Sequence, residues 1–214
     1  ANWQTRKSAV KLLSDIRDNV VISYLLEALT DENNAVKLEA VRGVKKAISR
    51  AVINLGVISA LNVCLSNSIG NKRIERSVLD CFEVVVSVEG ADYCEKMRSN
   101  IELLALQSDH PSIRQSAVKL LDTFDIKGLG IICAVLDDND QGVIKEALIV
   151  VTEIFRSYNY RLECIPFEIL LSLSNSIEDL LLQQGLNAKI RKEADYIQSM
   201  ISFDTILGTL VDEF

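Results

Sequence analysis

Apolar or β-branched residues recur along the chain four positions before and four positions after a small residue. The pattern occurs about six times, as Thr5-Ala9-Leu13, Val36-Ala40-Val44, Ile74-Val78-Phe82, Ile113-Ala117-Leu121, Val143-Ala147-Val151 and, more weakly, Ile190-Ala194-Gln198. The central residues stand 31, 38, 39, 30 and 47 positions apart. Apolar residues spaced by four positions predict one face of an α-helix. A repeat distance of 30 to 47 residues indicates stacked helical repeats. The pattern therefore predicts an all-α fold, an α-solenoid (superhelix) of about five to six stacked antiparallel helix pairs.

Each repeat is predicted to contain two helices, A and B, joined by a short polar turn. In the first full repeat, helix A spans about Val20–Leu29 and helix B about Ala35–Arg50, with Thr30–Asn34 as the turn. The later predicted helices are Gly56–Leu65, Lys72–Val88, Tyr93–Leu106, Pro111–Phe124, Lys127–Leu136, a B helix reaching about Arg156, one starting at Pro166, Leu186–Ile201 and a short capping helix at Phe203–Val211.

The repeats predict a single repeat domain over residues 1–214. Its units are approximately 1–18 (partial), 19–52, 53–89, 90–125, 126–160 and 161–214. The first B helix, Thr5–Leu13, has no A partner, so we expect a fragment of a longer protein with an apolar edge at its start. Such an open end also predicts self-association through the solenoid ends.

Composition agrees with helices and adds a charge asymmetry. Apolar residues make up 49% of the chain, with two prolines and nine glycines. Residues 1–100 carry 14 basic and 12 acidic side chains, a balance of +2, whereas residues 101–214 carry 9 and 18, a balance of −9. We expect the second half to repel nucleic acid and anionic membrane, although acidity also serves solubility alone.

The five cysteines include no C-x-x-C pair, and most lie within helical apolar patterns. This usage is typical of reduced cysteines in an intracellular protein. No apolar run reaches the roughly 18 residues that a transmembrane helix needs. We therefore expect a soluble protein of the cytoplasm or nucleus that has no membrane partner.

Three repeats carry motifs that resemble the HEAT and armadillo families. HEAT-like units have an Asp in the turn and a basic residue one position after the first apolar residue of helix B, as Asp31 with Lys37 and Asp109 with Arg114 do. The stretch from Ile53 to Leu61 resembles the opening of an armadillo repeat. The resemblance implies a ladder of turn and helix B side chains between neighbouring repeats. It also implies a binding scaffold, and some HEAT-like proteins bind DNA or tubulin.

Catalytic and cofactor motifs are absent from the sequence. The single histidine, His110, precedes Pro111 and is interpreted as a helix-entry residue, since no second metal ligand stands at a suitable spacing. Asp137-Asp138-Asn139-Asp140 is either a cation site or a helix-capping turn; it lacks the glycine and glutamate of a calcium-binding loop. We predict no enzyme activity and no cofactor.

The candidate binding residues lie opposite the apolar side of the B helices. Five of them form the basic strip: Arg42, Lys45, Lys46, Arg73 and Arg76. Further along the chain, the same exposed side carries Lys119, Ile149, Glu153 and Tyr196. Acidic residues share the strip's helices, so a mixed solvated surface is the competing interpretation.

The leading hypothesis is a non-catalytic protein-protein interaction scaffold. Its partner is another protein or peptide, held by the helix B side or by the turns. The alternative is a nucleic-acid-binding module that uses the basic strip of the first two full repeats. No interleaved aromatic residues are present to stack bases, which weakens that alternative.

Overall fold

The computed structural model describes residues 2–16, 18, 20–50, 55–89 and 93–201, and these fold into helices without a strand. The α-helices are α1 (Trp3–Asp15), α2 (Val20–Ala28), α3 (Asn34–Ile48), α4 (Leu55–Ser66), α5 (Lys72–Glu89), α6 (Cys94–Gln107), α7 (Pro111–Leu120), α8 (Ile126–Val135), α9 (Gln141–Ser157), α10 (Phe167–Leu182) and α11 (Ala188–Met200). Two short 3₁₀ turns lie at Leu121–Phe124 and Leu162–Cys164. The A and B helices predicted from the repeat pattern are all present within these residues, and the predicted capping helix Phe203–Val211 lies outside them.

Polar side chains at the helix starts explain why the predicted boundaries are correct to within about two residues. The Asn33 side chain accepts a hydrogen bond from the Ala35 amide at 2.9 Å, and Asp140 accepts one from the Gly142 amide at 2.8 Å. Each bond satisfies an amide that has no partner within the helix. The largest difference is in the third full repeat, where helix B ends at Leu120 and continues as a 3₁₀ turn.

The structure forms two compact units. The first unit runs to Leu103 and includes Ser108–Ile113, and the second consists of Leu104–Gln107 and the described residues from Arg114 onward. In the first unit the B helices α1, α3 and α5 pack side by side, with α2 against α1 and α3, and α4 against α3 and α5. In the second unit α9 packs on α8 and α11, and α10 packs on α8 and α11.

The small residues at the centre of the repeat pattern lie inside these units. Ala40, Ala147 and Ala194 are fully buried, as is Val78, the largest of the central residues. A methyl side chain lets neighbouring helices approach closely, so the pattern marks the packed side of these B helices. Ala9 of α1 is solvent-exposed, because no helix covers that side of α1 among the described residues. The single repeat domain over residues 1–214 stays a prediction.

Candidate functional site

Ion pairs between adjacent repeats fix the turns from which the B helices start. In the first unit, Arg6 of α1 donates to both carboxylate oxygens of Asp31, at 2.7 and 2.9 Å. Asp31 also accepts a hydrogen bond from the Asn33 amide at 2.8 Å. The hydrogen bond from Arg6 is the main reason why the pKa of Asp31 is lowered. The bidentate pair therefore joins helix B of one repeat to the turn of the next.

The second unit repeats this arrangement with Arg114 and Asp138. The Arg114 guanidinium donates to the two Asp138 oxygens at 2.6 and 2.8 Å, and the Asp140 amide donates to Asp138 at 2.7 Å. Burial works to raise the pKa of Asp138, but the hydrogen bonds from Arg114 and the Asp140 amide outweigh it and lower the pKa. Asp138 thus holds the position in its turn that Asp31 holds in the first unit.

These pairs extend and partly correct the expected ladder. Asp31 and Arg114 do form ion pairs between neighbouring repeats. Their partners are Arg6 and Asp138, which the sequence motifs did not identify as members of the ladder. Asp109 is exposed, and the neighbouring Ser108 occupies the buried position in that turn. A signal for Arg6 was present in the sequence, because it follows Thr5 as Lys37 follows Val36.

Glu75 replaces a basic residue in the second full repeat and keeps the link without an ion pair. Its side chain is fully buried and accepts hydrogen bonds from the Gly70 amide at 2.7 Å and the Ser108 hydroxyl at 3.0 Å. In the last repeat, Arg191 donates instead to the backbone carbonyls of Leu181 and Gln183, at 2.7 and 3.2 Å. The position after the first apolar residue of helix B is therefore a structural one.

The acidic turn and the histidine also have structural contacts. Asp140 accepts hydrogen bonds from the amides of Gly142 and Val143, as the capping interpretation of this turn predicts. The backbone carbonyl of His110 accepts from the Ile113 amide at 2.8 Å, at the start of α7. Among the described residues, no group of three or more His, Cys, Asp or Glu side chains has a geometry that holds a metal ion.

The basic strip lies in the first unit, where neighbouring acids pair with most of it. Lys45 and Arg76 both contact Asp80, at 3.3 and 3.1 Å. Lys46 pairs with Asp15 of α1 at 2.7 Å. Strip residues of α3 and α5 therefore share one carboxylate. The residue spacing within a single helix does not predict this contact between helices.

Arg42 and Arg73, the other two strip residues, line a cleft of about 200 Å³ between the B helices. Lys7 of α1 lines the same cleft, together with the first residues of α3 and α5. Arg42 also contacts Glu39 at 3.6 Å. We call Lys7, Arg42 and Arg73, with the starts of α3 and α5, the basic cleft. Sequence analysis missed Lys7 because the cleft is made by three separate helices.

The candidate residues of the second unit form a different surface. Ile149 of α9 and Tyr196 of α11 occupy equivalent positions in their helices and are 37% and 50% exposed. Lys119 has the same position in α7 and is also exposed. Glu153 pairs with Arg156 at 2.6 Å. This unit thus presents apolar, basic and acidic side chains without a basic cluster like that of the first unit.

Two turns of the second unit contain residues other than glycine with positive φ, one before α8 and one after α9. Asp125 has φ of 54°, and Asn159 and Tyr160 have φ of 52° and 59°, values that glycine adopts more readily than other residues. The Tyr158 hydroxyl donates to the Asp125 carboxylate, and this bond raises the pKa of Tyr158 to about 12. This hydrogen bond joins the end of α9 to the turn that precedes α8.

Helical-repeat proteins are among the solved structures that this chain resembles. The chain resembles a computationally designed armadillo repeat protein for modular peptide recognition, with a TM-score of 0.56 and 16% identity over 94% of this chain and 95% of that one. It also resembles the archaeal HEAT-like repeats protein from Thermococcus onnurineus NA1, with a TM-score of 0.55 and 18% identity over 96% of this chain and 84% of that one. No protein-family model and no curated protein sequence matches. The HEAT/armadillo-like α-solenoid predicted from the repeats is confirmed at the level of fold.

Proposed function

We propose that the chain is a non-catalytic scaffold that binds a segment of another protein on the helix B surface of its first unit. The observation that carries this proposal is the open cleft in that surface, between helices held in place by buried packing and by the Arg6–Asp31 pair. A similar structure was designed for peptide recognition, which supports the same use of the fold.

The remaining candidate residues have secondary roles in this proposal. Lys45, Lys46 and Arg76 border the cleft's side of the unit and add positive potential, although their acidic partners reduce it. The exposed Ile149 and Tyr196 of the second unit are proposed as a separate contact for an apolar partner side chain. We propose Lys119 and Glu153 as polar neighbours of that contact.

The alternative function is nucleic-acid binding through the basic strip. The cations of the strip support it, but Asp80, Asp15 and Glu39 lie within 4 Å of Lys45, Arg76, Lys46 and Arg42. Binding to the phosphates of a nucleic acid depends on basic side chains that are not paired with acids, and the whole chain has a net charge of −7. The protein-binding proposal is therefore the stronger one.

Self-association is proposed through the open side of α1 and the start of α2. Leu12, Ile16 and Val20 expose half or more of their side chains there. Burying such side chains in a second copy is favourable at about 25 cal/mol per Å² of apolar surface. Sedimentation velocity of the wild type and of Leu12→Glu tests this, since the variant removes a concentration-dependent dimer if this side forms it.

The proposed location is intracellular. Cys64, Cys81, Cys133 and Cys164 are all free thiols, as expected in a reducing compartment. No described helix is long and apolar enough to span a bilayer.

Affinity capture with matched variants tests the scaffold proposal. The immobilised chain is exposed to a nuclease-treated lysate, next to Arg42→Glu/Arg73→Glu and to the control Lys145→Glu/Lys189→Glu, which changes the net charge equally in the second unit. We expect proteins that the wild type and the second-unit variant retain and the first-unit variant loses. Equal retention by all three folded chains contradicts the proposed surface, and retention that depends on omitting nuclease favours the alternative.

A further inference from the structure

The basic cleft concentrates positive charge that the rest of the first unit does not neutralise. Lys7 and Arg73 form neither an ion pair nor a hydrogen bond through their side chains within the described part of the chain. Arg42 contacts Glu39 at 3.6 Å, where a hydrogen bond is already weak, and Glu39 is the one acidic residue in the described lining of the cleft. Three cations therefore face one carboxylate, in contrast to Lys45 and Arg76, which share Asp80.

Backbone groups at the cleft add to this charge. Asn34 and Ala35, at the start of α3, and Asn71 and Arg73, at the start of α5, belong to its lining. The first turn of a helix carries a partial positive charge, because its amides have no partners within the helix. Two such helix starts line the cleft, where the side chains of Asn33 and Asn71 cap the Ala35 and Ile74 amides. The three side-chain cations therefore supply most of the preference of the cleft for an anion.

The shape of the cleft favours a side-chain carboxylate. Its apolar lining comes from Leu38 and Ile74, which are almost fully buried, so the floor of the cleft is apolar. A volume of about 200 Å³ admits one or two acidic side chains rather than a folded domain. Guanidinium groups bind carboxylates in a bidentate manner, and the ammonium group of Lys7 adds a point charge.

A nucleic acid fits these observations less well. Its backbone charge continues beyond any single cleft, whereas the cations next to this one are paired with Asp80 and Asp15. No aromatic side chain lines the cleft to stack a base. A short acidic segment needs only the local charge that the cleft supplies.

We infer that the basic cleft binds an acidic segment of the partner protein, an extended stretch rich in Asp and Glu whose carboxylates contact Lys7, Arg42 and Arg73. This inference rests on the proposed scaffold function and specifies its partner. The bound segment replaces water around the three cations and crosses the B helices α1, α3 and α5.

Fluorescence anisotropy with a labelled octaglutamate peptide tests this inference. The wild type is compared with Lys7→Glu/Arg73→Glu and with the control Lys145→Glu/Lys189→Glu, whose replaced lysines are exposed in the second unit. We expect saturable binding to the wild type, weakening of at least about tenfold in the first variant and less than about twofold in the control. Binding also weakens as salt rises, because partly exposed charges are screened.

Four results separate the outcomes. No saturable binding of octaglutamate, with lysate proteins still captured on the same surface, overturns the acidic-segment inference and leaves the scaffold proposal. If neither octaglutamate binding nor capture of lysate proteins is observed, both the acidic-segment inference and the scaffold proposal are overturned. Equal weakening in the two double variants shows nonspecific attraction, and tighter binding of an oligothymidylate assigns the cleft to nucleic acid; either contradicts the inference. If charge reversal unfolds the chain, Lys7→Gln/Arg73→Gln makes the same comparison.

Discussion

The two units share a helical framework and differ at equivalent exposed positions. In the first unit, Arg42 stands six residues after the first apolar residue of its B helix and lines a basic cleft. In the second unit, the same position is Lys119 in α7, Ile149 in α9 and Tyr196 in α11, all exposed to solvent and without a basic cleft around them in the described residues. Buried positions such as Ala40 and Ala147 remain small in both units.

This difference separates the positions that packing constrains from the exposed positions that packing leaves free to vary. A repeat stacks through its buried side, so apolar identity and size are constrained there. The exposed side has no such constraint, and its chemistry varies from repeat to repeat. Variants of the framework should therefore change stability in either unit, whereas variants of the surface should change binding and leave stability within about 0.5 kcal/mol.

The largest effect is expected at Gly128 of the second unit. A Cβ at this position lies 2.3 Å from the Leu121 carbonyl oxygen, so Gly128→Ala forces the 3₁₀ turn and α8 apart. We expect a loss of about 3 kcal/mol in the free energy of unfolding, measured by urea denaturation. Gly130→Ala is the control, because nothing lies within 4 Å of its Cβ and alanine gains up to about 1 kcal/mol in a helix. Equal effects of the two variants contradict the close approach at Gly128.

The next effect compares the two bidentate pairs. The Arg114 and Asp138 side chains are 14% and 9% exposed, whereas Arg6 and Asp31 are 29% and 12% exposed. Arg114→Ala leaves a largely buried carboxylate without its cation, and we expect it to lower the free energy of unfolding by about 2 kcal/mol. Arg6→Ala should have a smaller effect, because water reaches that pair. A larger loss for Arg6→Ala than for Arg114→Ala breaks the proposed dependence on burial.

Acid should weaken both pairs. The folded-state pKa values of Asp31 and Asp138 are lowered, so the stability they contribute is present above the unfolded pKa of about 3.9 and is lost as pH falls through the folded values. We expect the melting temperature to drop between about pH 4 and pH 2, and to drop less in Arg114→Ala. An identical acid response in wild type and variant contradicts this role of Arg114.

The smallest effect concerns Asp122 of the second unit. Burial, followed by the nearby carboxylates of Glu153 and Asp125, raises its folded-state pKa. A raised pKa contributes stability below the unfolded value and loses it as pH rises, so the charged form is disfavoured at pH 7. Asp122→Asn should slightly raise the melting temperature at pH 7 and have no such effect at pH 3. The exposed Asp109→Asn serves as the control, and a decrease at pH 7 for Asp122→Asn contradicts the account.

Most of the fold could be predicted from the sequence, but only part of the candidate binding surface could be. Helix boundaries followed from spacing by four residues and from caps such as Asn33 and Asp140, which are local signals. The small central residues predicted the packed side of the B helices correctly except in α1, where Ala9 is exposed and Val10 and Ser14 are buried instead. These features depend on neighbours within one repeat, and sequence patterns report such neighbours directly.

Features that join different repeats were harder to predict. Arg6 and Asp31 are 25 residues apart, and Arg114 and Asp138 are 24 apart, so pairing within one repeat missed both bonds. Spacing likewise did not show which of Gly128 and Gly130 meets a backbone carbonyl. Lys7 enters the basic cleft only because α1 packs beside α3, which is a property of the stack rather than of any one helix.

Amide chemical-shift mapping of the isotope-labelled chain with octaglutamate tests the central claim most directly. The account predicts that the shifts concentrate on α1, α3 and α5 around Lys7, Arg42 and Arg73, with α9 and α11 unchanged. Shifts concentrated around Ile149 and Tyr196, or spread evenly over both units, contradict it. They would show that the cation cluster of the first unit does not determine where an acidic segment binds.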